Sequence, residues 1–364
     1  MVDFLRSLAA FAVVIGVLVF FHELGHYLAA RARGVGVEAF SIGFGRALVT
    51  WTDRAGTVWK ICVLPLGGYV KMHGMEQPGA ADPAERARWV EGRTFHGKGV
   101  GSRALIVAAG PIANFLLAVL LFAGLFAVAG QPVPAAVVGQ VVPHSAAAAA
   151  GLAPGDRITA IDGVAVHRFR GVQRQIEARP GAAVRITVRR AAHTLVLRAT
   201  LGSRIAAGRR VGLLGISSGT IGLVRLSPPA ALLAGVEETV RVARATLVGL
   251  WHIVSGQSGA GGIGGPLRIA ELSGKVAALG LSSLVSFIAV LSINLGLINL
   301  FPIPILDGGH LVFFAIEALR GRPLSARAQE YGLRAGLALI VALFVFATWN
   351  DLGHLFPALK RLIG

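Results

Sequence analysis

The sequence predicts a polytopic α-helical membrane protein with four transmembrane helices, a membrane-associated β-hairpin and a small inserted β-rich domain. Three observations lead there. Of 364 residues, 54% are apolar, and the mean hydropathy is +0.69, far above what a soluble domain of this length carries. Four apolar stretches, residues 4–30, 105–129, 281–300 and 333–348, each come near the ~20 residues that a hydrocarbon core requires. From about residue 134 to 201 the text changes to short β-type runs separated by Gly, Pro and Asp, the pattern of a small β domain.

The first stretch has an apolar run from Leu8 to Phe21 and ends in His22-Glu23-Leu24-Gly25-His26. Arg6 and the run that follows could pass for a secretory signal, but no small-residue cleavage site comes after it. On a helix, positions i and i+4 share a face, so His22 and His26 can pinch one metal ion while Glu23 stays close enough to handle protons. Ligands of this kind suit zinc, and three of them leave a fourth position for water.

Residues 31–103 join the first two spans and carry 11 basic and 6 acidic residues. Alternation over residues 57–63 and 69–72, with Gly67-Gly68 between them, predicts an antiparallel hairpin. Its exposed edge could template an extended peptide, although a hairpin with no partner is the commoner case. The net charge of +17 is spread over the connecting segments without interleaved aromatics, which excludes nucleic acid and fits anionic lipid headgroups and topology control. Cys62 is the only cysteine, so there is no intrachain disulfide and no four-Cys zinc site.

The inserted domain shows β-type runs at 137–142, 157–161, 183–189 and 194–199 and a helix at 170–178. Within it, Ser145-Ala146, then Ala150-Gly151-Leu152-Ala153-Pro154-Gly155-Asp156-Arg157-Ile158 and Ile161-Asp162-Gly163 closely resemble a PDZ domain. That resemblance implies a peptide-binding module used for substrate recognition or size gating, with a plain spacer as the alternative. Leu233, Val236, Val240, Ala243, Leu247, Leu250 and Val254 then form a stripe at helical spacing opposite Glu237, Glu238, Arg241 and Arg244. Such a helix lies on the membrane with Trp251 at the interface or packs on the β domain; core packing is the usual meaning of the stripe. The Gly-rich residues 259–265 lack a following Lys-Ser/Thr and read as a hinge before Pro266.

Two histidines need a third ligand, and Asp307 fits. The third span ends in Asn299-Leu300-Phe301-Pro302-Ile303-Pro304-Ile305-Leu306-Asp307-Gly308-Gly309-His310, where prolines and glycines break the helix. An ionisable group at membrane depth is functional by default, and unwound backbone there needs protein or a water-filled cavity beside it. Asn294 and Asn299 could hold a substrate backbone or stabilise an oxyanion, with interhelical hydrogen bonding as the alternative. His310 is not taken as a ligand, because a closed four-ligand site leaves no place for water. His73, His96, His144, His167, His193, His252 and His354 are read as surface or packing residues.

With these residues in place, the chain resembles the site-2 protease family of intramembrane zinc metalloproteases, nearly end to end. Phe40-Ser41-Ile42-Gly43-Phe44-Gly45, Pro65-Leu66-Gly67-Gly68-Tyr69-Val70-Lys71-Met72 and Gly110-Pro111-Ile112-Ala113-Asn114 add to the likeness, and the subgroup is the bacterial RseP-type. The resemblance implies Zn2+ as cofactor on His22, His26 and Asp307, Glu23 as the residue activating water, and substrate contacts at Gly67, Gly68, Tyr69 and Val70; Asn294, Asn299, Pro302 and Pro304 are further candidates for substrate contact. Well-known members carry two tandem PDZ domains, whereas this chain has room for one, so gating that depends on a pair is not carried over. The expected parts are residues 1–130 as the first membrane half, 131–205 as the PDZ domain, 206–277 as a linker with the amphipathic helix, and 278–364 as the second membrane half.

Basic residues after the first span and at Arg320, Arg322 and Arg327 place those loops in the cytoplasm. Both termini and the PDZ-like domain are then periplasmic, in a multi-pass protein of a bacterial inner membrane. Expected substrates are single-span membrane proteins, such as anti-sigma factor type regulators, and remnant signal peptides, shortened beforehand by a site-1 type protease. The competing readings are a non-catalytic, PDZ-bearing scaffold that binds signal peptides without zinc, and a metal transporter, which lacks a second charged pathway.

Overall fold

A computed structural model describes residues 2–75, 82–206, 209–257 and 265–363, with side chains except at 2, 65, 66, 85, 206, 254 and 352–363. The Gly-rich segment read as a hinge falls largely outside the described residues, as does the side chain of His354. In chain order the elements begin with α1 (Val2–Ala32), β1 (Val37–Thr52), β2 (Val58–Met72), α2 (Pro83–Arg86) and α3 (Val100–Val128). There follow β3 (Gln131–Pro134), β4 (Val138–Val141), α4 (Ala146–Ala149), β5 (Arg157–Ile161), β6 (Val164–Ala165), α5 (Phe169–Glu177), β7 (Ala183–Arg190) and β8 (His193–Thr200). Next are β9 (Gly202–Ala206), β10 (Arg209–Leu213), β11 (Ile216–Ser218) and β12 (Ile221–Val224). The chain closes with α6 (Pro228–Val254), α7 (Pro266–Ala278), α8 (Leu281–Asn299), α9 (Asp307–Arg320) and α10 (Ala326–Ile363).

Two compact units result, one from Met1–Leu125 with Pro228–Gly364, the other Phe126–Ser227. In the first, Asp3–Ala32, Val100–Val128, Leu281–Asn299 and Ala326–Asp351 are long and apolar enough to cross a bilayer, which makes this a multi-pass membrane protein. They match the four stretches seen in the sequence, α10 being much longer than its apolar centre. Val14 and Leu18 of α1 pack on Ile288 of α8, and Phe40 of β1 is fully buried against Ile106 of α3 and Val70 of β2.

The β segment departs from the expected pairing. Residues 57–63 and 69–72 do not pair with each other; both belong to one bent strand, β2, and each pairs with β1. Ala39, Phe40, Ser41 and Ile42 are partnered twice, by Val58–Ile61 on one side and by Gly68–Lys71 on the other. The start of β1 is thus a central strand and Gly68–Met72 an edge. The stacked Phe40 and Trp59 rings (centroids 4.2 Å apart) favour this register, because such cross-strand aromatic pairs stabilise it. Asp53 ties the far turn: it accepts hydrogen bonds from Trp59 Nε1 (3.0 Å), Tyr27 Oη (3.1 Å) and the backbone N–H of Ala55 and Thr57. The Trp59 bond first, then those backbone donors, hold its carboxyl below the usual carboxylate range.

α6 carries its stripe on the outside rather than in a protein core. Leu233, Val236, Val240 and Leu247 are exposed, whereas Ala231, Ala234 and Thr239 are buried. Gly235 lies so close to α3 that a Cβ there would stand 2.7 Å from Val119 O. Small residues let two helices meet backbone to backbone, and lipid rather than a protein core suits the large aliphatics. Further on, buried Asp351 of α10 accepts the N–H of Gly265 (2.8 Å) and Arg268 (3.1 Å), capping α7 from another helix.

The second unit begins slightly earlier and ends later than the 131–205 expected, since β9–β12 belong to it and β11 and β12 pair with β4 and β3. Its main sheet is antiparallel, in the order β6-β5-β7-β8. Ile158, Ile161, Val184, Ile186 and Val188 face a core that includes Val172 and Ile176 of α5. Asp156, fully buried, receives Arg190 Nε (2.7 Å) and Nη2 (2.8 Å) and the Ala153 N–H (2.9 Å).

Candidate metal centre

Apolar residues all along α1 make a helix, and the four-residue spacing sets His22 and His26 on one side of it, each only 8% exposed. Their Nε2 atoms lie 3.3 Å apart. Asp307 comes from the first turn of α9, and its Oδ2 stands 3.2 Å from His22 Nε2 and 3.5 Å from His26 Nε2. The turn that delivers it is tight. A Cβ at Gly308 would lie 2.3 Å from Leu300 O and one at Gly309 2.3 Å from Ile303 O, so both must be glycine for the chain to double back after α8.

Helix α3 braces the two imidazoles. His26 Nδ1–H donates to Ile106 O at 2.9 Å, and Asn114, fully buried, sets its amide 3.1 Å from His22 Nδ1. Between them is Gly110, where a Cβ would stand 2.3 Å from His26 Nε2 and 2.9 Å from His22 Cε1.

A divalent cation suits this constellation. The three ligand atoms lie within 4.8 Å of one another, Asp307 Oδ2 is buried without a hydrogen-bond partner, and two imidazoles with one carboxylate are a zinc donor set. An orphaned buried carboxylate oxygen is costly unless a cation compensates it.

Beside the three residues is a cavity of about 510 Å³, whose walls include Glu23, Gly67, Gly68, Tyr69, Val70 and Asn299. The Gly68–Met72 edge runs along it with no strand on its outer side among the described residues. Gly68 permits the approach: its Cβ would meet Val19 Cγ1 at 2.7 Å and Glu23 Cγ at 3.1 Å. His96 and His310 also line the cavity, as does the half-buried ion pair of Arg103 and Glu317 (2.6 Å).

The predicted residues divide accordingly. His22, Glu23, His26, Asp307, Gly67, Gly68, Tyr69, Val70 and Asn299 are brought together, with Asn299 Nδ2 3.5 Å from His22 Nε2. Asn294, Pro302 and Pro304 are not. Asn294 Oδ1 accepts from Thr246 Oγ1 of α6 at 3.0 Å, one side-chain bond between packed helices. Pro304 packs at the back against Gly332 and Gly336 of α10, and neither proline borders the cavity; both shape the turn instead. Gly110 and Asn114, the ends of the Gly110-Pro111-Ile112-Ala113-Asn114 motif, are functional residues that the sequence reading gives no role. Their spacing of four, matching that of His22 and His26, is the signal that could have found them.

The sequence profile of peptidase family M50 matches residues 10–343. A chain from Agrobacterium fabrum named as a zinc metalloprotease is 44% identical over 358 residues, covering 95% of each chain. The metalloprotease MmpA of Caulobacter vibrioides is 39% identical, covering 97% of each. The zinc metalloprotease RasP of Geobacillus kaustophilus is 32% identical over 98% of this chain and 100% of its own.

Proposed function

The chain belongs to peptidase family M50 and is a zinc metalloprotease of the site-2 protease type; on that premise we propose that it hydrolyses peptide bonds within the transmembrane segments of single-span membrane proteins. One observation carries the reading: a two-histidine, one-aspartate cluster and a free strand edge share a cavity with Glu23 among bilayer-crossing helices.

His22, His26 and Asp307 would hold the ion. Zinc, when bound, lowers the pKa of its water to about 7 and polarises the scissile carbonyl. Glu23 takes the proton of the attacking water and hands it to the leaving amine. A transmembrane helix hides its peptide bonds in its own hydrogen bonds, so the substrate must be unwound first; the Gly67–Val70 stretch offers replacement partners by strand addition. The amide of Asn299 is near enough to steady the opened backbone.

Substrates of this class are anti-sigma factor type regulators and remnant signal peptides in regulated intramembrane proteolysis, trimmed beforehand by a site-1 type protease. In this reading the protein sits in a bacterial inner membrane; the basic residues after the first span and at Arg320, Arg322 and Arg327 support an orientation with the segment carrying β1 and β2 cytoplasmic and both termini and the inserted unit periplasmic. The inserted unit is read as PDZ-like, supported by its four-stranded antiparallel sheet, by α5, and by the loop from Gly151 to the Arg190-bound Asp156.

The test is Glu23→Gln in the purified full-length protein. Cleavage of a single-span substrate should vanish while one equivalent of zinc stays bound. Undiminished turnover would remove Glu23 from the mechanism, and a metal-free protein that still binds signal peptides would favour the scaffold.

A further inference from the structure

Ile106, Gly110 and Asn114 are spaced by four, so they form one stripe along α3. His22 and His26 are spaced by four on α1, and the stripe meets them in reverse order: Ile106 O at His26, Gly110 between the rings, Asn114 at His22. Each ring therefore turns Nδ1 toward α3 and Nε2 toward Asp307. For His26 the proton's place is settled, because a backbone carbonyl only accepts; Nδ1 carries the hydrogen and Nε2 keeps its lone pair.

The same must hold at His22 once it ligates through Nε2. A neutral imidazole has one N–H, so the hydrogen must then sit on Nδ1 and needs an acceptor. Asn114 is the group in reach, and its Oδ1 is buried without a partner in the orientation that points Nδ2 at the ring. A half-turn of the amide about its last bond keeps the side chain's shape and exchanges the two atoms. Either orientation leaves the outer end of the amide unpaired, so His22 decides between them. The backbone of Asn114 is itself fixed, since Ser292 Oγ of α8 donates to its carbonyl at 2.8 Å.

We propose that Asn114 is a positioning residue for the metal centre: its side-chain oxygen accepts the Nδ1–H of His22 and so selects the imidazole form that offers Nε2 to zinc. This rests on the zinc reading of the cluster, and partners of ligating histidines are typically worth 10–100-fold in metal affinity.

The experiment measures zinc dissociation constants of the full-length protein by chelator competition, using zinc alone, for the parent, Asn114→Asp and Asn114→Leu. Asp keeps an acceptor and lacks a donor; Leu has similar size and neither. The expected result is affinity within about threefold of the parent for Asp and a loss of roughly 10–100-fold for Leu, with metal-free melting temperatures of the three alike. Equal affinity for Leu and the parent would overturn the proposal. So would a loss for Asp as large as that for Leu, which would mean the amide donates. If Leu fails to fold, the ¹⁵N spectrum of His22 in the zinc-loaded parent decides: a protonated Nδ1 and a metal-bound Nε2 are expected, and ligation through Nδ1 refutes it. Absence of zinc binding by the parent itself would sink the metalloprotease reading, an outcome distinct from either result for Asn114.

Discussion

Replacing Gly110 by Ala sets two effects of opposite sign against each other. Gly in a helix interior is disfavoured relative to Ala by about 1 kcal/mol, so propensity alone predicts a somewhat stronger α3. The new Cβ, however, would stand 2.3 Å from His26 Nε2, 2.6 Å from His26 Cε1 and 2.9 Å from His22 Cε1. Contact between such atoms is comfortable near ~3.5 Å, so the His26 ring must retreat by roughly 1.2 Å. Gly25 sits with its would-be Cβ 2.2 Å from Ala109 O, so α1 and α3 meet backbone to backbone here and parting them would give up that close packing. Metal ligation tolerates about 0.2 Å of misplacement, far less than the shift required. Zinc affinity should therefore fall by at least about 100-fold, roughly 2.7 kcal/mol, with cleavage falling in parallel. Chelator competition reads the affinity, and thermal melting of the metal-free protein reads the fold, where an overpacking cost of about 1–3 kcal/mol is partly offset by the propensity gain of about 1 kcal/mol. A Gly110→Ala protein that binds zinc within threefold of the parent would show that α3 does not support the imidazoles as described.

Two further perturbations separate other parts of the molecule. Gly68→Ala puts a Cβ 2.5 Å from Ser41 O and 2.7 Å from Val19 Cγ1, which forces the strand edge away from Glu23; cleavage should drop about tenfold or more with zinc affinity intact, and unchanged kinetics would argue against strand addition at this edge. In the inserted unit, the hydrogen bonds from Arg190, aided by the Ala153 N–H, hold the Asp156 carboxyl below the usual range against the opposing effect of burial. A depressed carboxylate contributes stability that is complete above its unfolded pKa of about 3.9 and is lost as pH falls through the folded value. Amide protection in β5 and β7, corrected for the intrinsic pH dependence of exchange, should accordingly fall below about pH 4, and Asp156→Asn should cost about 1–3 kcal/mol at pH 7 while flattening that acid response. An Asn variant with the parent's pH profile would contradict the assignment.

Much of this molecule is legible along the chain because its determinants are local. Runs of apolar residues set the four spans, and the helical period alone puts His22 and His26 on one face. Asp307 could be singled out because a carboxylate is so costly at that depth. Other features depend on packing. Alternation showed that residues 57–63 and 69–72 are extended, but not that each pairs with β1 rather than with the other, since strand pairing is a choice among distant partners. The aliphatic stripe of α6 left membrane and protein packing open and faces outward here, because close helix contact in lipid selects small residues such as Ala231, Ala234 and Gly235. Asn294 and Asn299 lie on one helix and differ only in direction, one meeting Thr246 and the other the metal cluster.

The sequence by itself determined the spans, the inserted β domain and the chemistry of the donor set, all properties of single helices and runs. Only the tertiary structure decided that an aspartate from α9 and an asparagine from α3 close on the histidines of α1. The partners of His22 stand 92 and 277 residues away from it, and no local period reaches that far; helix packing alone sets such distances.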